Sequence, residues 1–183
     1  MLRRLLLLLI LSLAVPAMAG AQEAPDPFQA NKALVRRYIE DILSKNRLEK
    51  LEEYLTPDFT DHTPGVESGD SGPGVVREAQ NRIRAIFPTV EYRIEDLVAE
   101  GDKVVARYTV RAATKEVEGT PSQQVEITGM TIYRLAGGKI RETWIINDQV
   151  ELYRQLGFTL QPPESKPPAP AAPPASDQPA GTR

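Results

Sequence analysis

Residues 138–157, GKIRETWIINDQVELYRQLG, hold the side chains whose types and spacing best fit chemistry. Side chains alternate between the two faces of a β-strand, so a regular strand here places on one face Ile140, Glu142, Trp144, Ile146 and Asp148. A carboxylate on an apolar face beside the chain's only tryptophan is costly unless it is hydrogen-bonded or used in a reaction. Asp148 is therefore a candidate for proton transfer. The alternative is that Asp148 caps the helix that follows, because aspartate is a favoured N-cap residue.

Glu142 shares the predicted face of Trp144 and has two interpretations. It could be a second carboxylate of a pocket, or it could pair with an arginine from a neighbouring strand, such as Arg134 or Arg107. The ion pair is favoured because buried carboxylates without a partner are rare. A metal site is not expected, since the chain has one histidine, no cysteine and no carboxylates clustered at ligand spacing.

The two ends of the 183-residue chain are expected to lie outside the fold. Residues 1–21 begin with two arginines, continue as an apolar run and end in small residues, which is typical of a signal peptide cleaved after Ala19 or Ala21. An exported or periplasmic protein without a membrane anchor follows from this. Residues 161–183 are rich in proline and alanine and contain no large apolar residue, which predicts a disordered tail. The domain is thus residues 22–160.

The charge and cysteine content exclude several function classes. The net charge is −3, and removal of residues 1–21 makes it more negative because they contain two arginines and no acid. A mildly acidic chain without a basic run gives no reason to expect nucleic-acid binding. The absence of cysteine excludes disulfides and thiol catalysis, so the domain needs a sufficient hydrophobic core of its own.

The apolar periodicity predicts three helices followed by strands. Apolar residues recur at helical spacing in residues 26–45, 47–55 and 73–87, and the first helix begins with Asp26 as N-cap. From Val90 the period changes to two, and four strands follow with turns between them. An α+β domain with a four-stranded antiparallel meander is therefore expected. A strongly bent sheet wrapped around a helix would enclose one pocket.

The order of these elements and their local motifs resembles the SnoaL-like polyketide cyclase family, also called ester cyclases, whose fold is the nuclear transport factor 2-like cone. The matching pieces are Phe59 with Asp61 and His62, Phe87-Pro88, residues 95–105, Thr128-Gly129-Met130, Gly138-Lys139-Ile140, then Glu142, Trp144 and Asp148, and finally Gln155-Leu156-Gly157. The resemblance covers nearly all of residues 30–157. It implies a cone-shaped curved sheet packed on three N-terminal helices, and it is compatible with a homodimer formed through the sheet.

The resemblance also implies roles for two residues. In members that close polyketide rings, an aspartate at the position matching Asp148 acts as general acid/base in an intramolecular aldol condensation, without a metal or an organic cofactor. A carboxyl whose pKa is raised by an apolar pocket suits such proton transfer near neutral pH. His62 matches a family histidine at the pocket mouth, where it would assist. The alternative is that His62 pins the loop after the second helix.

Further residues are expected to line the pocket and bind a small hydrophobic carbonyl compound. Together with Trp144 and Glu142 they are Tyr38, Tyr108, Tyr133 and Met130, each of which could equally be core. The chain departs from the family at Ala112-Ala113-Thr114-Lys115, where many members carry a Gly-Thr-His-like stretch. The sequence therefore leaves two hypotheses about the function. The chain is an acid/base enzyme of the cyclase or isomerase type, or a non-catalytic module of the same fold that binds a small ligand or a protein.

Overall fold

A computed structural model describes residues 27–63, 71–159 and 161, and it confirms the mixed α+β architecture. The predicted signal peptide, the predicted N-cap Asp26 and the predicted tail after Gln161 lie outside these residues. The elements are α1 (Pro27–Tyr38), a π-helical continuation (Ile39–Ser44), a 3₁₀ turn (Leu48–Lys50), α2 (Leu51–Tyr54), β1 (Leu55–Asp61), α3 (Pro73–Ile86), β2 (Thr89–Glu100), β3 (Lys103–Ala113), β4 (Gln124–Ala136), β5 (Lys139–Asn147) and α4 (Gln149–Gln155). No described helix is both long enough and apolar enough to cross a bilayer.

The first helix buries one stripe of its surface against the sheet. Val35, Ile39 and Ile42 are fully buried, as their spacing of three and four residues predicts. The predicted single helix changes its winding after Tyr38, where six residues continue as a π-helix. The wider turn ends at Asn46, which has a left-handed backbone with φ of 55°. Such turns leave carbonyl groups at the helix end that need donors from elsewhere.

Arg84 of α3 supplies those donors. Its guanidinium nitrogen Nη2 donates to the carbonyl oxygens of Leu43 at 2.7 Å and Ser44 at 2.8 Å, and Nη1 donates to Pro88 at 3.3 Å. One side chain thus ties the end of the π-helix to the end of α3.

Replacement of Arg84 by alanine is expected to lower the free energy of unfolding by about 2 to 3 kcal/mol, because partly buried carbonyls lose a charged donor. Urea denaturation measures the change. Arg82→Ala is the matched control on the same helix, since the Arg82 side chain is 69% exposed and, among the described residues, pairs only with Glu78. It should change stability by no more than about 0.5 kcal/mol. Equal effects of the two substitutions would contradict the role of Arg84.

The sheet has five strands in the order β1-β5-β4-β3-β2. The predicted meander is correct for β2 to β5, which are antiparallel, but it is incomplete because β1 adds a parallel edge strand beside β5. The second predicted helix ends at Tyr54, one residue early, and β1 starts directly at Leu55. Its pairing with β5 could not be predicted from the pattern of β1, because Pro57 and polar residues interrupt that pattern and the partner strand lies far along the chain.

The alternation along β5 is broken by a bulge at Arg141. Ile140 pairs with Leu135 and Glu142 pairs with Arg134, so Arg141 is an extra residue on β5. Ile140 and Thr143 are consequently both buried, although three positions separate them. The predicted face shared by Ile140, Glu142, Trp144, Ile146 and Asp148 is therefore wrong beyond Ile140. The inward side chains after the bulge are Thr143, Ile145 and Asn147.

A second bulge, at Glu95 of β2, separates the pairs Ile94–Tyr108 and Asp96–Arg107. Tyr92 and Ile94 before it, and Leu97 and Ala99 after it, all pack against the core. Bulges increase the local twist and bend of a strand, and these two lie on different strands of the curved sheet. The inner face of the sheet packs against α1, the π-helical continuation of α1, and α3. A cavity lies between these helices and the sheet.

Candidate functional site

A cavity with a volume of about 190 Å³ lies between the inner face of the sheet and the helices. Four tyrosines from four elements form much of its wall: Tyr38 of α1, Tyr92 of β2, Tyr108 of β3 and Tyr133 of β4. The other wall residues are Leu43, Phe59, Asp61, Thr63, Val76, Ala79, Gln80, Ile83, Thr131, Thr143, Ile145 and Asn147. The site is thus an apolar chamber into which phenol, hydroxyl and amide groups project.

Within the described part of the chain, Asp61 contributes the one carboxylate in this wall. It is half-buried at the end of β1, and its Oδ1 accepts hydrogen bonds from the backbone nitrogen of Thr63 at 2.9 Å and from the Thr63 hydroxyl at 2.5 Å. Among the described residues, both bonds reach Oδ1 and none reaches Oδ2. The carboxylate is therefore held in place by one oxygen, while the other is available to a ligand.

Asp61 was part of the motif behind the family resemblance, but it was not predicted as a functional group. The signal was present in the sequence, because Phe59 and Asp61 are two residues apart and so share a face of β1. Phe59 is fully buried, and Asp61 follows it to the cavity. His62, one residue further on, faces the other side.

The tyrosines differ in how their hydroxyls are engaged. Tyr108 donates to Asn147 Oδ1 at 3.1 Å, and its oxygen lies 2.8 Å from the hydroxyl of Thr131, which can donate to it. The hydroxyls of Tyr38 and Tyr92 make no hydrogen bond within the described part of the chain. Gln80, also in the cavity wall, is only 4% exposed and has no side-chain hydrogen bond there either. Within the described residues, these groups are donors of the cavity wall that can bind a ligand.

Burial keeps the cavity phenols protonated. It raises the pKa of Tyr38, Tyr92, Tyr108 and Tyr133 above the ordinary value. The negative charge of Asp61 is a second cause for Tyr38, which indicates that the two groups are close enough to interact. At neutral pH the cavity therefore presents neutral phenol donors near one carboxylate.

Alkaline titration should reveal these raised pKa values. A phenol whose pKa is higher in the folded than in the unfolded state adds stability that is fully present below about pH 10 and is lost as the pH rises further. We expect the cavity tyrosines to ionise together with unfolding, above the pH at which they ionise in denaturant. Near-ultraviolet absorbance of tyrosinate, compared with circular dichroism of the backbone, measures this. Ionisation of these tyrosines at about pH 10 with the fold intact would contradict it.

Asp148 lies outside the cavity. It is exposed and is the N-cap of α4, where its Oδ1 accepts from the backbone nitrogen of Glu151 at 2.9 Å. The predicted placement on an apolar face is wrong, because the bulge at Arg141 reverses the faces of β5, and the capping alternative is confirmed. Asp148 borders an open groove on the outer side of the sheet, together with Arg107, Met130 and Ile146. Its predicted catalytic role is left without the apolar surroundings on which the prediction rested.

His62, Glu142 and Trp144 form a cluster on the outer side of the sheet. His62 Nε2 lies 3.1 Å from Glu142 Oε2, and the imidazole stacks on the indole with ring centres 4.6 Å apart. Glu142 also pairs with Arg134, so the predicted ion pair is confirmed. The backbone nitrogen of His62 donates to the carbonyl of Thr143 at 2.8 Å. His62 therefore pins the end of β1 to β5, and the predicted place at a pocket mouth is wrong.

Of the predicted ligand-binding residues, Tyr38, Tyr108 and Tyr133 line the cavity, whereas Trp144, Glu142 and Met130 do not. Met130 is 50% exposed and lies on the outer groove. Contact with a ligand stays a prediction for the three tyrosines. Among the described residues no three histidine, cysteine or acidic side chains come together in a way that could hold a metal ion.

Gly129 allows the arrangement at the back of the cavity. It lies on β4 between Tyr108 of β3 and Asn147 of β5, and both are its direct partners in the sheet. A Cβ atom at this position would meet the side-chain oxygen of Asn147 and would lie 2.7 Å from Cε2 of Tyr108. The missing side chain thus leaves the space through which Asn147 reaches Tyr108.

Comparison with known proteins places this geometry in a wider group. A protein-family model described as SnoaL-like polyketide cyclase matches residues 33–156. A search of curated proteins found no match. Among solved structures, a candidate polyketide cyclase from Acidithiobacillus ferrooxidans is 28% identical with a TM-score of 0.63, over 70% of this chain and 94% of that one.

Two further structures extend the comparison. IdmH, a candidate polyketide cyclase from Streptomyces antibioticus, is 25% identical with a TM-score of 0.60, over 70% of this chain and 99% of that one. A candidate SnoaL-like polyketide cyclase from Jannaschia is 20% identical with a TM-score of 0.63, over 75% of this chain and 99% of that one. At this lower identity the likeness concerns the fold alone.

Proposed function

Because the chain belongs to the SnoaL-like polyketide cyclase family, we propose that it catalyses proton transfer on a small, largely apolar carbonyl compound, in a cyclisation or an isomerisation. The observation that carries the proposal is Asp61, a carboxylate with a free oxygen in a chamber of buried neutral phenols. A carboxylate and a hydrogen-bond donor facing one apolar cavity are the groups that proton abstraction next to a carbonyl requires. No organic cofactor or metal ion takes part in this chemistry.

The reaction begins when Oδ2 of Asp61 removes a proton from the carbon next to the carbonyl. The electron pair of the broken C–H bond moves to the carbonyl oxygen, and the hydroxyl of Tyr38 or Tyr92 donates a hydrogen bond to the resulting enolate. Donors already fixed in a site without water stabilise such charge at little cost of reorganisation. These two phenols fit the role because the described residues leave them without partners, whereas Tyr108 already donates to Asn147.

The enolate then has two outcomes. In an isomerisation Asp61 returns its proton to another carbon of the same conjugated system. In a cyclisation the enolate carbon attacks a second carbonyl of the same molecule, and the proton on Asp61 neutralises the new alkoxide. Both outcomes regenerate the carboxylate and consume no other reactant. Phe59, Val76 and Ile145 in the wall favour an apolar substrate framework.

Hydrogen exchange tests the proposed chemistry without knowledge of the natural substrate. The purified protein is incubated in D₂O with a panel of small apolar ketones and diketones, and loss of the protons next to the carbonyl is followed by NMR. We expect exchange faster than in buffer and faster than with heat-denatured protein. Absence of exchange across the panel, with the protein folded, would refute the proposal.

A second function is binding without conversion. It is favoured by the position of His62, which is stacked on the outer side of the sheet and cannot share proton transfer with Asp61 inside the cavity. The chamber would then hold a small hydrophobic ligand unchanged. Native mass spectrometry of the purified protein distinguishes the two, since a retained compound that the protein does not convert indicates a carrier.

We propose that the protein is exported from the cytoplasm, whichever of the two functions it has. Its support is the sequence of residues 1–21, with Arg3 and Arg4 before an apolar run and small residues after it. Fractionation of cells that express the full chain, followed by mass measurement, should give a protein outside the cytoplasm that begins after Ala19 or Ala21. An uncleaved chain in the cytoplasm would refute this part.

A further inference from the structure

We infer that the substrate has two parts, an oxygenated head held beside Asp61 and a slim hydrocarbon tail held in a second cavity of about 220 Å³. This inference rests on the proposed function and names the substrate class of the same site. The second cavity lies between the end of α3, the inner faces of β2 to β4 and the start of α4. Its walls include Phe87, Val110, Ala112, Ile127 and Leu152.

The two cavities are neighbours that share three wall residues, Ile83 of α3, Tyr92 of β2 and Asn147 of β5. These side chains come from three different elements and stand between the chambers. Asn147 is fixed by the hydrogen bond from Tyr108, so its position is set by the same network that lines the first cavity. When the carbonyl group of a ligand lies near Asp61, the rest of the ligand can extend past these three side chains into the second cavity.

The lining of the second chamber suits hydrocarbon. Among the residues that the structure describes, only Gln149 brings a polar side chain to its wall besides the shared Tyr92 and Asn147, and no acidic or basic side chain lines it. A charged or strongly polar group would lose its hydration there without a partner. A cavity of this size is larger than most gaps in a close-packed interior, which rarely exceed a water molecule.

The small side chain of Ala112 leaves volume open in the second cavity. It pairs with Val90 and Val125 on the neighbouring strands and brings only a methyl group to the wall.

A homologous series of 2-alkanones, from butanone upward, probes the tail site. Binding is measured by calorimetry or by ligand-observed NMR. Burial of each methylene group is expected to tighten binding about fourfold until the chamber is full. Ala112→Leu should remove this gain for the long ketones by at least about tenfold and leave butanone unaffected. Leu152→Phe, from the opposite wall, is a second filling variant in case Ala112→Leu does not fold.

Ala113→Leu is the matched control, because Ala113 is the next residue of β3 and belongs to the wall of neither cavity. Loss of the chain-length gain in the filling variants, with the gain retained in Ala113→Leu, supports the tail site. Equal behaviour of the filling variants and the control, or a wild type without chain-length dependence, overturns it. Binding is read separately from exchange, so chain-length dependence without exchange would refute the proposed catalysis and keep the tail site.

Discussion

Replacement of Asp61 by asparagine is expected to slow the exchange of protons next to a ketone carbonyl by about 10²- to 10⁴-fold, the usual contribution of a positioned acid or base. Asparagine has nearly the same size as aspartate, and its side-chain oxygen can still accept from the Thr63 backbone nitrogen. The amide cannot take up a proton, however, so the base is lost while the local structure is kept. The rate is measured by NMR in D₂O, and the thermal midpoint should stay within a few degrees of wild type.

Asp148→Asn is the matched control, since it makes the same chemical change at the aspartate that the sequence suggested instead. Asparagine is also a good N-cap, so α4 should be retained. We expect the rate of proton exchange with this variant to remain within about twofold of the wild-type rate. Only the loss of the group that transfers the proton lowers this rate strongly, and in the proposed reaction that group is Asp61. A large loss in Asp148→Asn with none in Asp61→Asn would return the catalytic role to Asp148 and refute the site described here.

Replacement of Gly129 by alanine is expected to lower the free energy of unfolding by about 2 to 3 kcal/mol, because the added methyl group overfills a packed site. Its Cβ would lie 2.7 Å from Cε2 of the buried Tyr108 ring and 3.0 Å from the carbonyl oxygen of Ile146. The amide of Asn147 can rotate away, but it then gives up the hydrogen bond from Tyr108. Urea denaturation measures the loss.

Gly74→Ala provides the matched control for Gly129. Gly74 lies in the first turn of α3, and a Cβ there meets no atom within 4 Å. Alanine favours a helix over glycine, so this substitution should leave stability unchanged or raise it by up to about 1 kcal/mol. If Gly129→Ala were as stable as Gly74→Ala, the close approach of Asn147 to Tyr108 would not depend on the missing side chain.

The periodicity of the sequence predicts most of the fold, because local patterns specify local elements. Val35, Ile39 and Ile42 mark the buried stripe of the first helix, and Val104, Ala106 and Tyr108 alternate inward on β3 as expected. The pairing of the edge strand β1 could not be predicted in this way, because its parallel partner is β5, far along the chain. The pattern within the seven residues of β1 cannot specify a contact with a strand that lies much further along the chain.

The candidate site was only partly predictable for a related reason. Tyr38 and Tyr108 reach the cavity because α1 and β3 are regular up to these positions. The face of β5 was predicted wrongly because one extra residue, Arg141, reverses every side chain that follows it. No residue type or spacing in the sequence around Arg141 indicates a bulge. Asp61, in contrast, could have been found from its spacing to Phe59.

The bulge at Glu95 also bears on how the protein behaves when it is concentrated. β2 is the outermost strand on its side, and a long flat edge of this kind invites pairing with another molecule and aggregation. The extra residue interrupts the regular row of hydrogen-bonding groups, and Glu91, Arg93 and Asp96 place charges along the same edge. The distortion that curves the sheet around the cavity thus also protects the sheet from joining that of a second molecule, which favours solubility of the folded domain.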